Sequence, residues 1–203
     1  MEAYRFTKDW FSWNIANWQE WLAPLAGRPS IRFLEIGCYE GRATIWLLTN
    51  ILTHQTARID CVDRFFDPDS ADNDPAGYES RFDYNVRISR DGNKVRKIKS
   101  FSQESLRNLK LYSYDAIYVD GSHAAADVLE DAVLAFRLLK PGGLMIFDDY
   151  EWIPISAGND NSSLANAPDP RLTPRAAIDA FLEVYNGQYE LVAKDYQVAI
   201  KKF

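Results

Sequence analysis

The sequence predicts an α/β fold in which a doubly wound, mostly parallel sheet carries helices on both faces. Short apolar runs rich in β-branched residues alternate with helical patterns, and this alternation is typical of parallel βαβ units. The chain then ends in two strand patterns separated only by Asp195 and Tyr196. That hairpin spacing predicts that the sheet finishes with an antiparallel pair.

The hydrophobic period defines each element in turn. Within residues 7–26, an apolar stripe at helical spacing predicts a helix that packs on the core, walls a substrate pocket or forms a dimer surface; it consists of Phe11, Ile15, Trp18 and Leu22. Strands are predicted at residues 31–36, 58–62, 94–98, 115–119, 144–147, 189–194 and 197–201. Helices are predicted at residues 42–52, 78–88, 103–111, 124–139 and 174–185, and Pro141-Gly142-Gly143 ends the fourth of these.

The chain length of 203 residues suits one domain, residues 1–203, with an N-terminal helical segment at residues 1–28. Two polar insertions, residues 64–93 and 150–173, interrupt the alternating pattern. Each insertion follows the carboxyl end of a predicted strand, which is where open α/β sheets bind ligands. We therefore expect both insertions at the rim of the active site.

The net charge of −6 argues against a nucleic-acid or anionic-membrane partner, because both reward basic surfaces. The sequence shows neither a basic-plus-apolar leader nor an apolar run of membrane-spanning length, so a cytoplasmic protein is expected. Cys38 and Cys61 form no CxxC motif and each lies near a predicted strand end. Two buried, reduced thiols are expected there.

The run from Glu35 to Gly41 predicts a strand that stops at Gly37, turns, and enters a helix at Gly41. Such a turn directs backbone N–H groups at a ligand. It lacks the middle glycine of the dinucleotide motif G-x-G-x-x-G, so the close approach to a pyrophosphate is not provided. The carboxylate of Glu35 instead suits a cationic, phosphate-free cofactor. A tight turn without a ligand is the alternative.

Acidic residues end three further predicted strands. Asp63 can accept both hydroxyls of a ribose or simply form a turn. Asp120 is followed by a glycine turn and His123, which is either a general base or a capping residue. Adjacent Asp148 and Asp149, with Asp120, offer the hard oxygen ligands that suit Mg²⁺; otherwise one caps a turn and the other is solvated.

Together these residues resemble the class I S-adenosylmethionine-dependent methyltransferases, and especially small-molecule O-methyltransferases of the methyltransferase 24 type. The similarity covers about residues 31–149. It is carried by the strand that ends at Asp63 and by the runs FLEIGCYEGRAT, YDAIYVDGSH and LLKPGGLMIFDDY. The resemblance implies a Rossmann-like, seven-stranded sheet in the order 3-2-1-4-5-7-6, with strand 7 antiparallel.

The resemblance also implies roles for individual residues. The methionine and ribose parts of S-adenosylmethionine would lie against Glu35, Gly37, Cys38 and Gly41. Asp63 would hold the ribose hydroxyls, and the adenine would be flanked by Arg64, Ser102 and Gln103; Ser102 is also a candidate helix N-cap. Asp120 is counted with the cofactor residues, with Asp148 and Asp149 as a Mg²⁺ ligand, and with His123 as a catalytic residue.

The expected activity is Mg²⁺-assisted O-methylation of a small hydroxylated acceptor. The first alternative is a metal-independent O- or N-methyltransferase that uses His123 as its base. Alternatives from other classes are a NAD-dependent oxidoreductase and a non-catalytic cofactor-binding module. The sequence leaves open which small molecule is the acceptor and whether the chain forms a homo-oligomer.

Overall fold

One seven-stranded sheet organises the chain. The computed structural model describes residues 2–66, 77–153, 169, 171 and 173–203. The strands lie in the order β3-β2-β1-β4-β5-β7-β6, which confirms the predicted fold class and strand order. Their bounds are Arg32–Ile36 (β1), Arg58–Asp63 (β2), Val95–Lys99 (β3), Tyr114–Val119 (β4), Leu139–Phe147 (β5), Tyr189–Lys194 (β6) and Val198–Lys202 (β7).

Helices separate most of these strands in sequence, as the alternating pattern predicts. The α-helices are Ile15–Trp21 (α1), Arg42–Asn50 (α2), Gly77–Ile88 (α3), Ser102–Ser105 (α4), Ala125–Leu138 (α5) and Pro174–Val184 (α6). Within the described part of the chain, no helix has both the length and the hydropathy needed to cross a membrane. The chain divides into two compact units, residues 1–105 and 106–203.

In the first unit, β1, β2 and β3 are parallel, with Phe33 opposite Ile59 and Val62 opposite Ile98. Phe33 and Ile59 are fully buried, as expected for the apolar strands of a parallel sheet. Trp18 of α1 is also fully buried, and its ring centroid lies 6.5 Å from that of Phe33. The N-terminal aromatic stripe is therefore part of the core, the first of the roles predicted for it.

In the second unit, β5 is parallel to β4 and antiparallel to β7, and β6 is antiparallel to β7. The predicted antiparallel end of the sheet is thus confirmed. The predicted two-residue turn is wrong by one residue, because the N–H of Asp195 bonds to the carbonyl oxygen of Gln197 and β7 begins at Val198. Gln197 is buried in this turn.

Several predicted elements have different bounds. The N-terminal helix is shorter, because residues 12–14 and 23–25 form 3₁₀ turns on either side of α1. The predicted helix 103–111 ends as α4 at Ser105 and continues only as a 3₁₀ turn over residues 106–108. Helix α5 ends at Leu138, one residue before the predicted end at Leu139. The strand predicted at residues 144–147 begins earlier, since Leu139 is already extended and pairs with Tyr114 as the first residue of β5.

Candidate active site

The first cluster of candidate site residues surrounds the glycine loop, residues 37–41, between β1 and α2. Gly37 and Gly41 have left-handed φ angles of 82° and 80°, which explains why both positions are glycine. The N–H of Gly37 donates to the carbonyl oxygen of Val62 at 2.8 Å. Tyr39, midway between the glycines, also has a positive φ of 46°. A tyrosine thus occupies a left-handed position that glycine would adopt without strain.

Asp63, the last residue of β2, fixes the glycine loop. Its Oδ2 accepts the backbone N–H groups of Cys38 at 2.8 Å and Tyr39 at 3.0 Å. Its Oδ1 accepts the N–H of Phe65 at 2.7 Å. The structure therefore brings Asp63 and the loop together, as predicted. The hydrogen bonds from the loop to Asp63 were not predicted. The carboxylate therefore holds the loop backbone in addition to its predicted role of binding the ribose.

Glu35 lies beneath the loop and is 1% exposed. Its Oε2 accepts the hydroxyl of Thr44 at 2.6 Å and the thiol of Cys61 at 3.7 Å. Burial raises the pKa of Glu35 to about 8, against the lowering effect of those two hydrogen bonds. The carboxyl is thus mostly neutral at pH 7. The expectation that its negative charge attracts a cationic cofactor is not supported in this structure.

Glu35 makes stability depend on pH. Its pKa in the folded chain, about 8, lies above the ordinary glutamate value of 4.5. The folded state is therefore not penalised below about pH 4.5 and loses stability as pH rises towards 8, by on the order of 3 kcal/mol at pH 7. We expect Glu35→Gln, which keeps an acceptor for Thr44, to remove most of this slope. Urea unfolding at pH 5 and pH 8 checks it, and an equal slope in both proteins would contradict it.

The two cysteines are buried free thiols, as predicted. Burial raises the pKa of both Cys38 and Cys61, so both remain protonated. Their sulfur atoms and a carboxylate oxygen of Glu35 lie within 4.8 Å of one another. With protons on all three groups, the arrangement is a hydrogen-bonded layer under the loop.

Gly41 has little room for a side chain. A Cβ at this position would lie 3.0 Å from Cδ2 of Phe82, whereas a Cβ at Gly142, which also has a left-handed φ, would meet nothing within 4 Å. We expect Gly41→Ala to lower the free energy of unfolding by about 2–3 kcal/mol and Gly142→Ala by about 1 kcal/mol. Thermal and urea unfolding of both variants measure this difference. Equal losses would mean that Phe82 moves aside freely.

The remaining residues predicted to contact the adenine lie at the ends of β2 and β3. Arg64 is exposed and follows Asp63 directly. Ser102 and Gln103 begin α4 and are half-buried. The N–H of Ser100 donates to the carbonyl oxygen of Asp63 at 3.1 Å, so this strand end lies beside Asp63. The adenine contacts themselves stay a prediction.

The second cluster, which we call the acidic cluster, consists of Asp120, His123, Asp148 and Asp149 in the second unit. Val119 of β4 is opposite Phe147 of β5, so Asp120 and Asp148 follow paired strand ends. The N–H of Asp148 donates to the carbonyl oxygen of Val119 at 3.0 Å. The predicted gathering of these residues at neighbouring strands is confirmed.

Tyr118 lies between the two strand-end carboxylates. Its hydroxyl is 2.9 Å from Oδ2 of Asp120 and is also hydrogen bonded to Oδ2 of Asp148. A phenol has only one proton to donate, so the two acids compete for it. Burial and the neighbouring carboxylate of Asp149 raise the pKa of Asp148 to about 6. Burial and both acids raise the pKa of Tyr118 well above its ordinary value, so Tyr118 stays a neutral phenol.

His123, Asp149 and Tyr196 form a hydrogen-bonded chain. Nε2 of His123 lies 2.8 Å from Oδ2 of Asp149, whose Oδ1 accepts the hydroxyl of Tyr196 at 2.7 Å. Trp152 stacks on the imidazole, with ring centroids 4.2 Å apart. Asp149 has a left-handed φ of 58°, a conformation that turns and functional sites use. The imidazole is therefore held by both a carboxylate and an indole.

The predicted Mg²⁺ ligands, Asp120, Asp148 and Asp149, have suitable oxygen donors but not the expected convergence. Among the described residues, the group that brings three candidate ligand atoms within 4.8 Å is Glu35, Cys38 and Cys61, not the three aspartates. Both oxygens of Asp149 already have partners in Tyr196 and His123. The aspartates as placed do not fit a three-carboxylate magnesium site, and the metal stays a prediction.

Several residues of both clusters were missed by the sequence analysis: Thr44, Tyr118, Trp152 and Tyr196. Tyr118 carried a usable signal, because a residue two positions before Asp120 on a strand points to the same face. Thr44 and Tyr196 reach Glu35 and Asp149 through tertiary contacts, for which the sequence contains no local pattern.

The sequence of residues 34–150, more than half of the chain, matches a family described as "Methyltransferase domain". The chain belongs to this methyltransferase family. The match includes the glycine loop, Asp63 and the acidic cluster, so both clusters belong to the methyltransferase domain.

The methyltransferase domain is similar to a viral protein and to solved structures. It is 26% identical over 151 residues to uncharacterized protein R132 of Acanthamoeba polyphaga mimivirus; the aligned part is 70% of this chain but only 59% of that relative. A putative rRNA-methylase of Clostridium thermocellum has a TM-score of 0.66 at 13% identity, covering 98% of both chains. An O-methyltransferase of Bacillus cereus in complex with SAH has a TM-score of 0.63 at 16% identity, covering 98% of this chain and 84% of that one. At these identities the structures support the fold.

Proposed function

We propose that this chain is an S-adenosylmethionine-dependent O-methyltransferase that acts on a small hydroxylated acceptor and uses His123 as its base. The observation that carries the proposal is the hydrogen bond between Nε2 of His123 and Asp149, because it orients a group able to take a proton within the matched methyltransferase region. The structure of a similar fold in complex with SAH is consistent with this cofactor.

The cofactor is assigned to the glycine loop. The loop backbone is held by Asp63. Its Oδ2 already accepts two N–H groups, whereas Oδ1 accepts one and so retains acceptor capacity for a ribose hydroxyl. Tyr39 in place of a middle glycine argues against a dinucleotide with its pyrophosphate, and so against the oxidoreductase alternative. S-adenosylmethionine contains a ribose and no phosphate, which agrees with both features.

His123 has the arrangement of an oriented general base. Asp149 accepts a hydrogen bond from Nε2–H, and this fixes the tautomer in which Nδ1 carries the lone pair. Tyr196 holds the other oxygen of Asp149, and Trp152 holds the plane of the ring. The side chain of His123 is 45% exposed, so an acceptor molecule can reach it.

The proposed step balances without a metal. S-adenosylmethionine would supply the methyl group from its sulfonium; transfer to the acceptor oxygen would break the carbon–sulfur bond and release S-adenosylhomocysteine (SAH) as a neutral thioether. The acceptor hydroxyl gives its proton to Nδ1 of His123, and Asp149 stabilises the resulting imidazolium. Mg²⁺ is not part of this proposal, because the three aspartates are not among the described residues that bring three candidate ligand atoms together.

The proposal is tested by methyl transfer in the presence of EDTA. A panel of small phenols, sugars and hydroxy acids is incubated with the protein and S-adenosylmethionine labelled in its methyl group, and labelled product and SAH are counted. We expect transfer to at least one acceptor that is unchanged by EDTA. Transfer that EDTA abolishes and Mg²⁺ restores would replace His123 with the metal as the activating group. Transfer confined to amines would exclude O-methylation.

A further inference from the structure

A strap of irregular chain, residues 5–10, lies against the glycine loop and helix α3. Polar and aromatic contacts hold this strap in place. The N–H of Thr7 donates to Oε2 of Glu40 at 2.6 Å, and the Thr7 hydroxyl donates to Oε1 at 2.6 Å. Asn85 accepts the N–H of Arg5 at 2.7 Å and donates to its carbonyl oxygen at 2.9 Å. The side chain of Asn85 thus bonds to both backbone groups of Arg5, as the backbone of a neighbouring strand would.

The side chains that bond to the strap are buried, and the strap supplies part of their hydrogen bonds. Glu40 is 1% exposed and Asn85 is fully buried. Arg81 donates from Nε to the same Oε1 of Glu40 that Thr7 contacts. Without the strap, Glu40 and Asn85 would lose these hydrogen bonds. Leaving buried polar groups without partners lowers the free energy of unfolding. Residues 5–10 are thus an integral part of the first unit.

The same contacts connect the strap to the cofactor loop. Glu40 is a loop residue, and its carbonyl oxygen accepts a second hydrogen bond from Asn85 at 2.9 Å. Arg42, the first residue of α2, donates from Nε to the carbonyl oxygen of Lys8 at 3.2 Å. It also pairs with Asp9, at 3.6 Å between Nη1 and Oδ2. The loop and the start of α2 are therefore bonded to the strap along its length.

The strap also carries Trp10 onto Tyr39. The ring centroids of Trp10 and Tyr39 are 5.0 Å apart. Tyr39 also stacks with Tyr78, with ring centroids 5.1 Å apart. Tyr39 is the loop residue with the left-handed φ, so these ring contacts offset the backbone strain at that position. The indole itself remains 58% exposed.

We propose that Glu40 is a positioning residue that couples the strap to the glycine loop, and that the strap keeps the loop in the shape that binds S-adenosylmethionine. The inference rests on the assignment of the cofactor to the glycine loop. If the strap is released, the loop adopts other conformations. The apparent affinity for S-adenosylmethionine then falls in proportion to the fraction of chains whose loop keeps the binding conformation.

The test compares Thr7→Val with Thr7→Ser. Valine keeps the shape and the backbone N–H but removes the hydroxyl bonded to Glu40, whereas serine keeps that hydroxyl. We expect the Kd for SAH, measured by calorimetry, to rise about fivefold to tenfold in Thr7→Val, as expected for the loss of one hydrogen bond to a charged group. Thr7→Ser should bind as the wild type does. Thr53→Val, a change at another exposed threonine of the same unit, is the matched control.

A second variant, Trp10→Ala, removes the ring on Tyr39 and leaves Glu40 and its partners in place. We expect weaker SAH binding here too, with the fluorescence change on SAH binding reduced because Trp10 contacts the loop. Unchanged Kd values in both Thr7→Val and Trp10→Ala would overturn the proposal. An equal rise in Thr53→Val would also overturn it, because the effect would then be general destabilisation. A wild type that does not bind SAH would instead overturn the cofactor assignment itself.

Discussion

Replacing His123 with alanine is expected to lower kcat by roughly 10²–10⁴-fold, the usual contribution of a general base. The Kd for SAH should change little, because the glycine loop and Asp63 do not depend on the imidazole. The measurement is labelled methyl transfer to the acceptor found in the panel, together with calorimetry of SAH binding. A loss of kcat without a loss of cofactor affinity would place His123 in the chemical step.

The chain offers a matched control, since it contains two histidines. His54 lies in the first unit and bonds to Thr56, and His54→Ala should leave kcat unchanged. Asp149→Asn should lower kcat as well, because an amide can present its N–H to the imidazole and favour the wrong tautomer. Full activity in His123→Ala would contradict the proposed base and favour activation of the acceptor by another group.

Replacing Asp63 with alanine is expected to weaken SAH binding by at least about 100-fold, or ~3 kcal/mol. The change removes the acceptor of three backbone N–H groups, at Cys38, Tyr39 and Phe65, and the group assigned to the ribose. The loop would lose its shape while the ligand loses a partner. Calorimetry with SAH measures the affinity, and circular dichroism checks that the variant is folded.

Asp83→Ala provides the comparison for Asp63→Ala. Asp83 is an exposed acid of the same unit that pairs with Lys97, so its loss should leave SAH binding within about twofold of the wild type. Asp63→Asn should be intermediate, since its amide oxygen can still accept the two loop N–H groups, those of Cys38 and Tyr39. Tight SAH binding by Asp63→Ala would show that the cofactor lies away from the glycine loop.

The sheet could be predicted from the sequence because each strand shows its hydrophobic pattern within a few consecutive residues. Buried parallel strands such as β1 and β2 are short apolar runs that end at glycine or aspartate, and each period is visible within a few residues. The errors occur where tertiary contacts decide the local structure. Residues 7–11 are not helical, and Thr7 among them is bonded to Glu40, a residue 33 positions away.

The candidate site could be predicted as a set of positions but not as a set of contacts. Asp63 ends β2, Asp120 follows β4 and Asp148 follows β5, so these positions could be read from the predicted strands. The sequence could not show that Glu35 turns inward to Thr44, so its charge was misjudged. Nor could it show that Tyr118 separates Asp120 from Asp148, since a strand tyrosine is as compatible with a simple core position.

Part of both polar insertions lies outside the described residues, namely residues 67–76, 154–168, 170 and 172. The predicted role of these stretches as walls of the active-site rim stays a prediction. Within the first insertion, the described helix Gly77–Ile88 confirms the helix predicted at residues 78–88. Its Tyr78 contacts the glycine loop through Tyr39, and this contact links one insertion to the candidate cofactor site.

The central claim, that this methyltransferase domain binds S-adenosylmethionine at the glycine loop and needs no metal to do so, is tested most directly by calorimetry with SAH in EDTA and in Mg²⁺. We expect one SAH bound per chain, with the same Kd in both buffers and a much higher Kd in Asp63→Ala. Failure of the wild-type chain to bind SAH in either buffer would contradict it.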